Sequence, residues 1–242
     1  MKTILKTIIC ITFVFSATQI QAQWGQTKVV GNGNVTTKTV STGAYDEIKL
    51  VGSMDVHLVS GNEGNISVTT DDNLHEYVVI EVKGNELIIK TEKNYYLKTK
   101  NGIHVTVPFQ DISEVSLTGS GDIDTKNVIK AANFEVNLTG SGNIKLMVDA
   151  TTVETEVTGS GDITMEGTTE NLKVTVTGSG DFKGFDLQSN TTEARVNGSG
   201  DAQIVANKNL NARVSGSGDI TYKGNPERSD TKTSGSGDIS SF

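Results

Sequence analysis

The sequence contains few of the residues that would point to a disulfide-linked fold or a nucleic-acid-binding surface. Of its 242 residues only 2 are proline and 1 is cysteine, and 5% are aromatic. A single cysteine cannot form a disulfide within the chain, so the fold must depend on packing and backbone hydrogen bonds. Basic residues are also scarce: 21 Lys and Arg stand against 29 Asp and Glu, a formal charge of −8. We therefore expect no nucleic-acid partner.

Long hydrophobic runs are missing as well, except at the start of the chain. Residues 1–22 carry Lys2 and Lys6, followed by an apolar run from Ile8 to Ala17. This pattern is typical of a secretory signal peptide, and a run of about ten residues is too short to span a bilayer, which takes ~20. The sequence therefore predicts export to the periplasm, the outer cell surface or the medium, with no transmembrane or lipid anchor.

Glycine, in contrast, is abundant, with 26 residues, many of them in a repeated tetrapeptide. We call Gly-Ser-Gly-Asp, with Asn in one copy, the corner motif. Its copies start 18 to 21 residues apart and lie at residues 119–122, 140–143, 159–162, 178–181, 198–201, 216–219 and 235–238. A nearly constant period of this length predicts a solenoid, in which each repeat buries its apolar face against its neighbours.

The residues around each corner motif alternate between apolar and polar. Phe134, Val136 and Leu138 lie six, four and two positions before one motif, with polar residues between them, and the apolar Ile144 follows its last residue. A period of two predicts strands with one face turned inward, one before and one after each motif. The fold class predicted is all-β, a parallel β-helix with coils of about 19 residues.

The N-terminal part of the chain is less regular than the repeats. The segment Gly52-Ser53-Met54-Asp55 looks like a degenerate corner motif, and Gly84-Asn85 between two apolar runs predicts a tight hairpin. We therefore expect three regions: a signal peptide at 1–22, a β-rich N-terminal part at 23–110, and β-helix repeats at 111–242.

Several of these segments carry a resemblance to a known family. They are Tyr45 to Ile48, Gly52 to Val56, the hairpin from Gly84 to Ile89, and Val105 to Pro108, followed by the corner motifs. Over about residues 40–242 the chain resembles the head GIN domain family of auto-transporter adhesins, a domain of unknown function in exported bacterial proteins. The resemblance implies a β-helical architecture and a surface or adhesive role, and it brings no catalytic residues.

The last residue of each corner motif is the first candidate functional feature. We call these residues the Asp ladder: Asp122, Asn143, Asp162, Asp181, Asp201, Asp219 and Asp238. Carboxylates stacked about 4.8 Å apart can attract calcium. However, one carboxylate per coil is sparse for a calcium turn, and Asn143 keeps the acceptor oxygen without the charge. We interpret the ladder as a turn-capping device in which each side chain accepts backbone N–H groups of its own turn, with calcium binding as the alternative.

The residue before each corner motif forms a second candidate row. We call it the Thr strip: Thr118, Thr139, Thr158, Thr177, Asn197, Ser215 and Ser234. A flat row of small hydrogen-bonding groups can contact glycans or a surface protein, although it is also what a solvated strand face requires. Two positions further upstream, Arg195 and Arg213 are expected on adjacent coils, either as a solvated charged face or, less favoured, as an anion site.

No arrangement of reactive residues points to an enzyme. His57, His75 and His104 lack the spacing of metal ligands, and the serine of the corner motif recurs with no histidine near it in sequence. We therefore expect no catalytic, cofactor or metal site, and predict a non-enzymatic exported module for interaction or structure, adhesin-like at the cell surface. The alternative is a carbohydrate-active enzyme, a lyase or hydrolase, which would show a groove where carboxylates converge.

Overall fold

The computed structural model describes residues 26–242, so the predicted signal peptide lies outside the described residues. The strands of the N-terminal part are β1 (Thr27–Val30), β2 (Val35–Ser41), β3 (Glu47–Gly52), β4 (Asp55–Ser60), β5 (Asn65–Asp71), β6 (Val78–Lys83), β7 (Glu86–Thr91), β8 (Tyr95–Lys98) and β9 (His104–Phe109). A short 3-10 helix spans Asp72–Tyr77. None of the helices within residues 26–242 has the length and apolar character needed to span a membrane.

The repeats form the remaining strands. They are β10 (Glu114–Gly119), β11 (Asp122–Gly140), β12 (Asn143–Gly159), β13 (Asp162–Gly178), β14 (Phe182–Gly198), β15 (Ala202–Val205), β16 (Asn209–Gly216), β17 (Ile220–Lys223), β18 (Arg228–Gly235) and β19 (Ile239–Ser241). Strands β11 to β14 are 17 to 19 residues long. The ladders between them omit one residue pair near the middle of each strand, at Ala132, Thr151, Glu170 and Asn190, where the strand bends. We call that bend the second corner of the coil.

Two walls of parallel strands make up the solenoid. The strands that precede the corner pair in the order β7, β3, β10, β11, β12, β13, β14, β16, β18. Those that follow the corner pair in the order β9, β4, β11, β12, β13, β14, β15, β17, β19. The prediction of an all-β parallel β-helix with coils of about 19 residues is confirmed.

The interior follows the predicted period of two. Phe134, Val136 and Leu138 are buried, and in the register of the next coil they stack on Val153, Thr155 and Val157. The apolar positions after the corner motif are buried in the same way, as the columns Ile123, Ile144 and Ile163 show. Removing these columns of aliphatic side chains from water is the main driving force for stacking the coils.

The two ends of the solenoid differ. In the N-terminal part the coil of β3 and β4 lies between that of β7 and β9 and that of β10 and β11, so stacking order departs from chain order. The outermost coil there is covered by antiparallel strands: β6 on β7, which confirms the hairpin at Gly84-Asn85, and β5 on β9. At the other end β18 is exposed along its whole length and places Ser229, Thr231 and Thr233 where earlier coils carry apolar residues.

Candidate functional site

Each corner motif is bonded to the corner of the preceding coil. The Gly159 carbonyl accepts the N–H groups of Ser179 at 2.8 Å and of Gly180 at 3.1 Å. Gly178, the first glycine of that motif, has a φ of +118°, a region that favours glycine. The second glycine, Gly180, is needed for space: a Cβ on it would lie 2.0 Å from the Gly161 carbonyl oxygen. The corner glycines therefore allow the backbones of neighbouring coils to stack closely.

The Asp ladder also links neighbouring coils. Asp162 Oδ1 accepts the backbone N–H of Asp181 at 3.1 Å, and Asp181 Oδ1 accepts that of Asp201 at 3.0 Å. The same bond joins Asp122 to Asn143 (2.9 Å), Asp201 to Asp219 (2.8 Å) and Asp219 to Asp238 (2.7 Å). The expected bond within the same turn is therefore wrong for these residues, since each carboxylate accepts the N–H group of the next coil. At Asn143 the side-chain amide also donates to Asp122, at 2.9 Å.

The Thr strip lies on the outer face of one wall. Its residues occupy one register from coil to coil, and most of its side chains are exposed. Nearby, Arg195 and Arg213 are direct neighbours across β14 and β16, as expected. Each is ion-paired, Arg195 with Glu193 at 2.7 Å and Arg213 with Asp230 at 2.6 Å. Because these carboxylates balance their charge, the pair is a solvated charged face.

A concave surface that was not anticipated from the sequence lies at the second corner. It is a groove of about 790 Å³ that crosses the coils of β11 to β14. Its lining residues are Lys130, Ala131, Ala132, Asp149, Ala150, Thr151, Thr168, Thr169, Glu170, Gln188, Ser189, Asn190 and Asn207. Within it Ala131, Ala150, Thr169 and Ser189 stack in one register. This row of small side chains was the signal in the sequence that could have located the groove.

The polar side chains of the groove are held by their neighbours on adjacent coils. Asp149 accepts a hydrogen bond from the Thr168 hydroxyl at 2.8 Å. Glu170 accepts one from the Asn190 side-chain amide at 2.5 Å and lies 3.7 Å from the Lys208 ammonium. The groove therefore offers hydroxyl, amide and charged groups in ordered positions, and none of its lining residues is aromatic.

A row of glutamates lies on the outer face of the wall that precedes the corner. We call it the glutamate row: Glu86, Glu47, Glu114, Glu135 and Glu154 occupy one register on successive coils. Burial raises the pKa of Glu114, and the negative charges of its neighbours in the row raise it further. Four of the five could have been read from the sequence, since they stand five positions before a corner motif or, for Glu47, before its degenerate copy at Gly52. Glu86 could not, because no corner motif follows β7.

Two histidines meet on the outer face of the other wall. His57 Nε2 and His104 Nδ1 are 3.5 Å apart, although 47 residues separate them in sequence. They come together because β4 and β9 are neighbouring strands, which their spacing along the chain did not reveal. In the part of the chain that the structure describes, no group of three or more His, Cys, Asp or Glu side chains is arranged to hold a metal ion.

Walls, corners and groove together define a solenoid protein of the parallel β-helix class. Residues 44–226 match the family described as “Putative auto-transporter adhesin, head GIN domain”. The chain belongs to this family, which confirms the resemblance noted from its segments. Among curated proteins no significant match is found.

Solved structures of similar fold come from Bacteroides and Parabacteroides species. A “putative adhesin” from Bacteroides fragilis has a TM-score of 0.85 at 22% identity, with 88% of this chain and 100% of that chain covered. A “putative lipid binding protein” from Parabacteroides distasonis has a TM-score of 0.75 at 29% identity, with 89% and 99% covered. A “putative adhesin” from the same species has a TM-score of 0.72 at 26% identity, with 89% and 100% covered.

Proposed function

We propose that this protein is a non-enzymatic, adhesin-like binding module of the bacterial surface, and that its ligand is a glycan held in the groove at the second corner. The observation that carries the proposal is the groove itself, about 790 Å³ of concave surface that continues over several coils. The family description supports an adhesive role. The signal peptide predicted at residues 1–22 would export the module from the cytoplasm, which a role at the surface requires.

The chemistry of the groove favours a sugar polymer. Sugar hydroxyl groups both donate and accept hydrogen bonds, and the side chains of Gln188, Asn190 and Asn207 in the groove can do the same. The small side chains of Ala131 and Ala150 leave room for a ring to approach the backbone. Coils about 4.8 Å apart repeat these groups along the groove, which suits an extended polymer.

A lipid ligand is the alternative raised by the Parabacteroides distasonis protein described as lipid-binding. An acyl chain needs an apolar site. The groove instead carries Lys130, Asp149 and Glu170. A sugar polymer therefore fits these residues better than a hydrocarbon chain does.

A carbohydrate-active enzyme is the second alternative, because Asp149 and Glu170 both line the groove. A glycosidase needs one carboxyl group to donate a proton and a second to act as nucleophile or base. Here Asp149 accepts from Thr168 and Glu170 from Asn190, both on the next coil. These bonds support a role in ordering the groove wall, and we therefore propose binding without turnover.

The proposal is tested by screening the purified protein on a glycan array and repeating the screen with two tryptophan variants. Ala132→Trp fills the groove from an exposed position, and Thr177→Trp places the same side chain on the exposed Thr strip. We expect Ala132→Trp to weaken glycan binding at least ten-fold and Thr177→Trp to leave it unchanged. If Thr177→Trp weakened binding more than Ala132→Trp, the site would be on the Thr strip. Unchanged binding in both variants would exclude both surfaces as the glycan site.

Two further measurements separate the alternatives. Incubation of the bound glycan with the protein should release no reducing ends or unsaturated products, and steady release would establish an enzyme. Phospholipid vesicles should not bind the protein. Binding to vesicles that Ala132→Trp abolishes would replace the glycan by a lipid.

A further inference from the structure

Outside the groove, the histidines His57 and His104 lie in a patch of outward side chains on three adjacent strands. In the register of β9, β4 and β11, His104 stands beside Asp55, and Asp55 beside Asp122. Two positions along, His57 stands beside Asp124. Two imidazoles and three carboxylates therefore share one small area. The two histidine side chains are 40% and 41% exposed, so solvent reaches them directly.

The hydrogen bonds on the far sides of the rings determine where their protons lie. His57 Nδ1 is 2.7 Å from Asp124 Oδ2, and His104 Nε2 is 3.0 Å from the backbone carbonyl oxygen of Asn101. A carboxylate and a carbonyl can only accept, so both of these ring nitrogens carry the hydrogen. In the neutral rings the other two nitrogens, His57 Nε2 and His104 Nδ1, are then both unprotonated.

These two unprotonated nitrogens face each other. They are 3.5 Å apart while the ring centroids are 5.7 Å apart, so the nitrogens lie on the facing edges of rings whose planes differ by 15°. Two lone pairs at this distance repel, and either change of tautomer would only move the conflict to Asp124 or to Asn101. A cation between the nitrogens removes the conflict. A shared proton is one solution, but 3.5 Å is longer than the usual hydrogen-bond range of about 2.7–3.2 Å.

We propose that His57 and His104 form a binding site for a divalent transition metal ion of the zinc, copper and nickel group, for which imidazole is a suitable ligand. Ligating histidines typically donate their second ring N–H to a carboxylate or a backbone carbonyl, as His57 does to Asp124 and His104 to Asn101. The proposal is independent of the glycan groove.

The distances suit such an ion. Two nitrogens 3.5 Å apart, each about 2.0–2.1 Å from zinc, subtend an angle of about 115–120° at the metal, close to tetrahedral. Asp55 Oδ2 lies 3.5 Å from His104 Nδ1, and its negative charge favours a cation nearby. With two protein nitrogens as ligands, the remaining positions are left to water, as expected for an open site at the surface.

The test is isothermal titration of the purified protein with Zn²⁺ at pH 7, where the proposal requires one ion per chain. His57→Gln and His104→Gln should each lower the zinc affinity at least ten-fold. The control is His75→Gln, because His75 contacts Thr36 in another part of the molecule, and it should leave the affinity unchanged. Melting curves of the metal-free variants identify any that fail to fold. If one of the two ligand variants does not fold, the other still tests the proposal.

A spectroscopic measurement identifies the ligands directly. With Cu²⁺ in place of zinc, the electron paramagnetic resonance spectrum should show hyperfine coupling to two nitrogens in the parent protein and to fewer in either ligand variant. Absence of stoichiometric zinc binding, or equal zinc affinity in the parent and both ligand variants, would overturn the proposal.

Discussion

The two corners of each coil are built by opposite rules. The corner motif keeps its glycines in every copy, whereas the second corner changes from Ala131-Ala132 to Ala150-Thr151, Thr169-Glu170 and Ser189-Asn190 on successive coils. The repeated corner packs backbone on backbone, and the variable one lines the groove. In this molecule the strictly repeated residues are therefore those that close backbone packing requires, and the variable residues are those that line the groove.

The reason lies in how the coils meet at each corner. At the corner motif a Cβ on Gly161 would lie 2.0 Å from the carbonyl oxygen of Gly142, and the same clash recurs at Gly180 against Gly161. Side chains at the second corner, such as Thr151 and Glu170, instead point into solvent and are exposed. Packing therefore requires glycine at the first corner, whereas the exposed positions of the second corner accept side chains of different size.

The largest effect expected from this comparison is that of a side chain placed at the repeated corner. Gly180→Val should lower the free energy of unfolding by about 3 kcal/mol or more, because Cβ would collide with the backbone of the preceding coil. Thr151→Val, at an exposed position of the second corner, should change it by less than about 0.5 kcal/mol. Urea melts of both variants provide the measurement. Equal losses would mean that the two corners are packed alike.

The difference between the two corners could be predicted from the sequence only in part. The corner motif and the period of two located the strands and the buried columns, because each coil repeats the same local chemistry. The groove has no repeated residue type, and its row of small side chains gives only a weak signal until the coils are aligned. His57 meets His104 because the coil of β3 and β4 lies between the coil of β7 and β9 and that of β10 and β11. This stacking order depends on long-range strand pairing that no local pattern encodes.

A smaller effect is expected at the polar end of the corner motif. Asp181→Ala removes the acceptor of the Asp201 N–H and should cost about 1 kcal/mol. Asp181→Asn keeps an acceptor oxygen and should cost less. Thermal melts with millimolar calcium and with a chelator should agree for the parent protein. A rise of many degrees with calcium would make the Asp ladder a metal site and not only a set of hydrogen bonds between coils.

The smallest effect on stability is expected in the glutamate row, where a repeated residue brings no packing benefit. Glu114 is flanked in register by Glu47 and Glu135, and burial together with these like charges raises its pKa. A carboxyl group whose pKa is higher in the folded than in the unfolded state destabilises the fold when ionised, and that cost disappears as the pH falls through the raised pKa. Glu114→Gln should therefore stabilise the protein near neutral pH by about 0.5 kcal/mol, a value reduced for solvent screening.

The pH dependence separates this explanation from simple packing. The gain from Glu114→Gln should shrink as the pH is lowered through the raised pKa toward the ordinary range of glutamate, where both proteins carry an uncharged side chain at this position. Glu156→Gln is the matched control, because Glu156 is exposed and its register neighbours are Asn137 and Thr175. A gain that persists unchanged at pH 4 would mean that charge is not its cause. A gain that fades would show that the ionised glutamate row, unlike the corner motif, destabilises the fold.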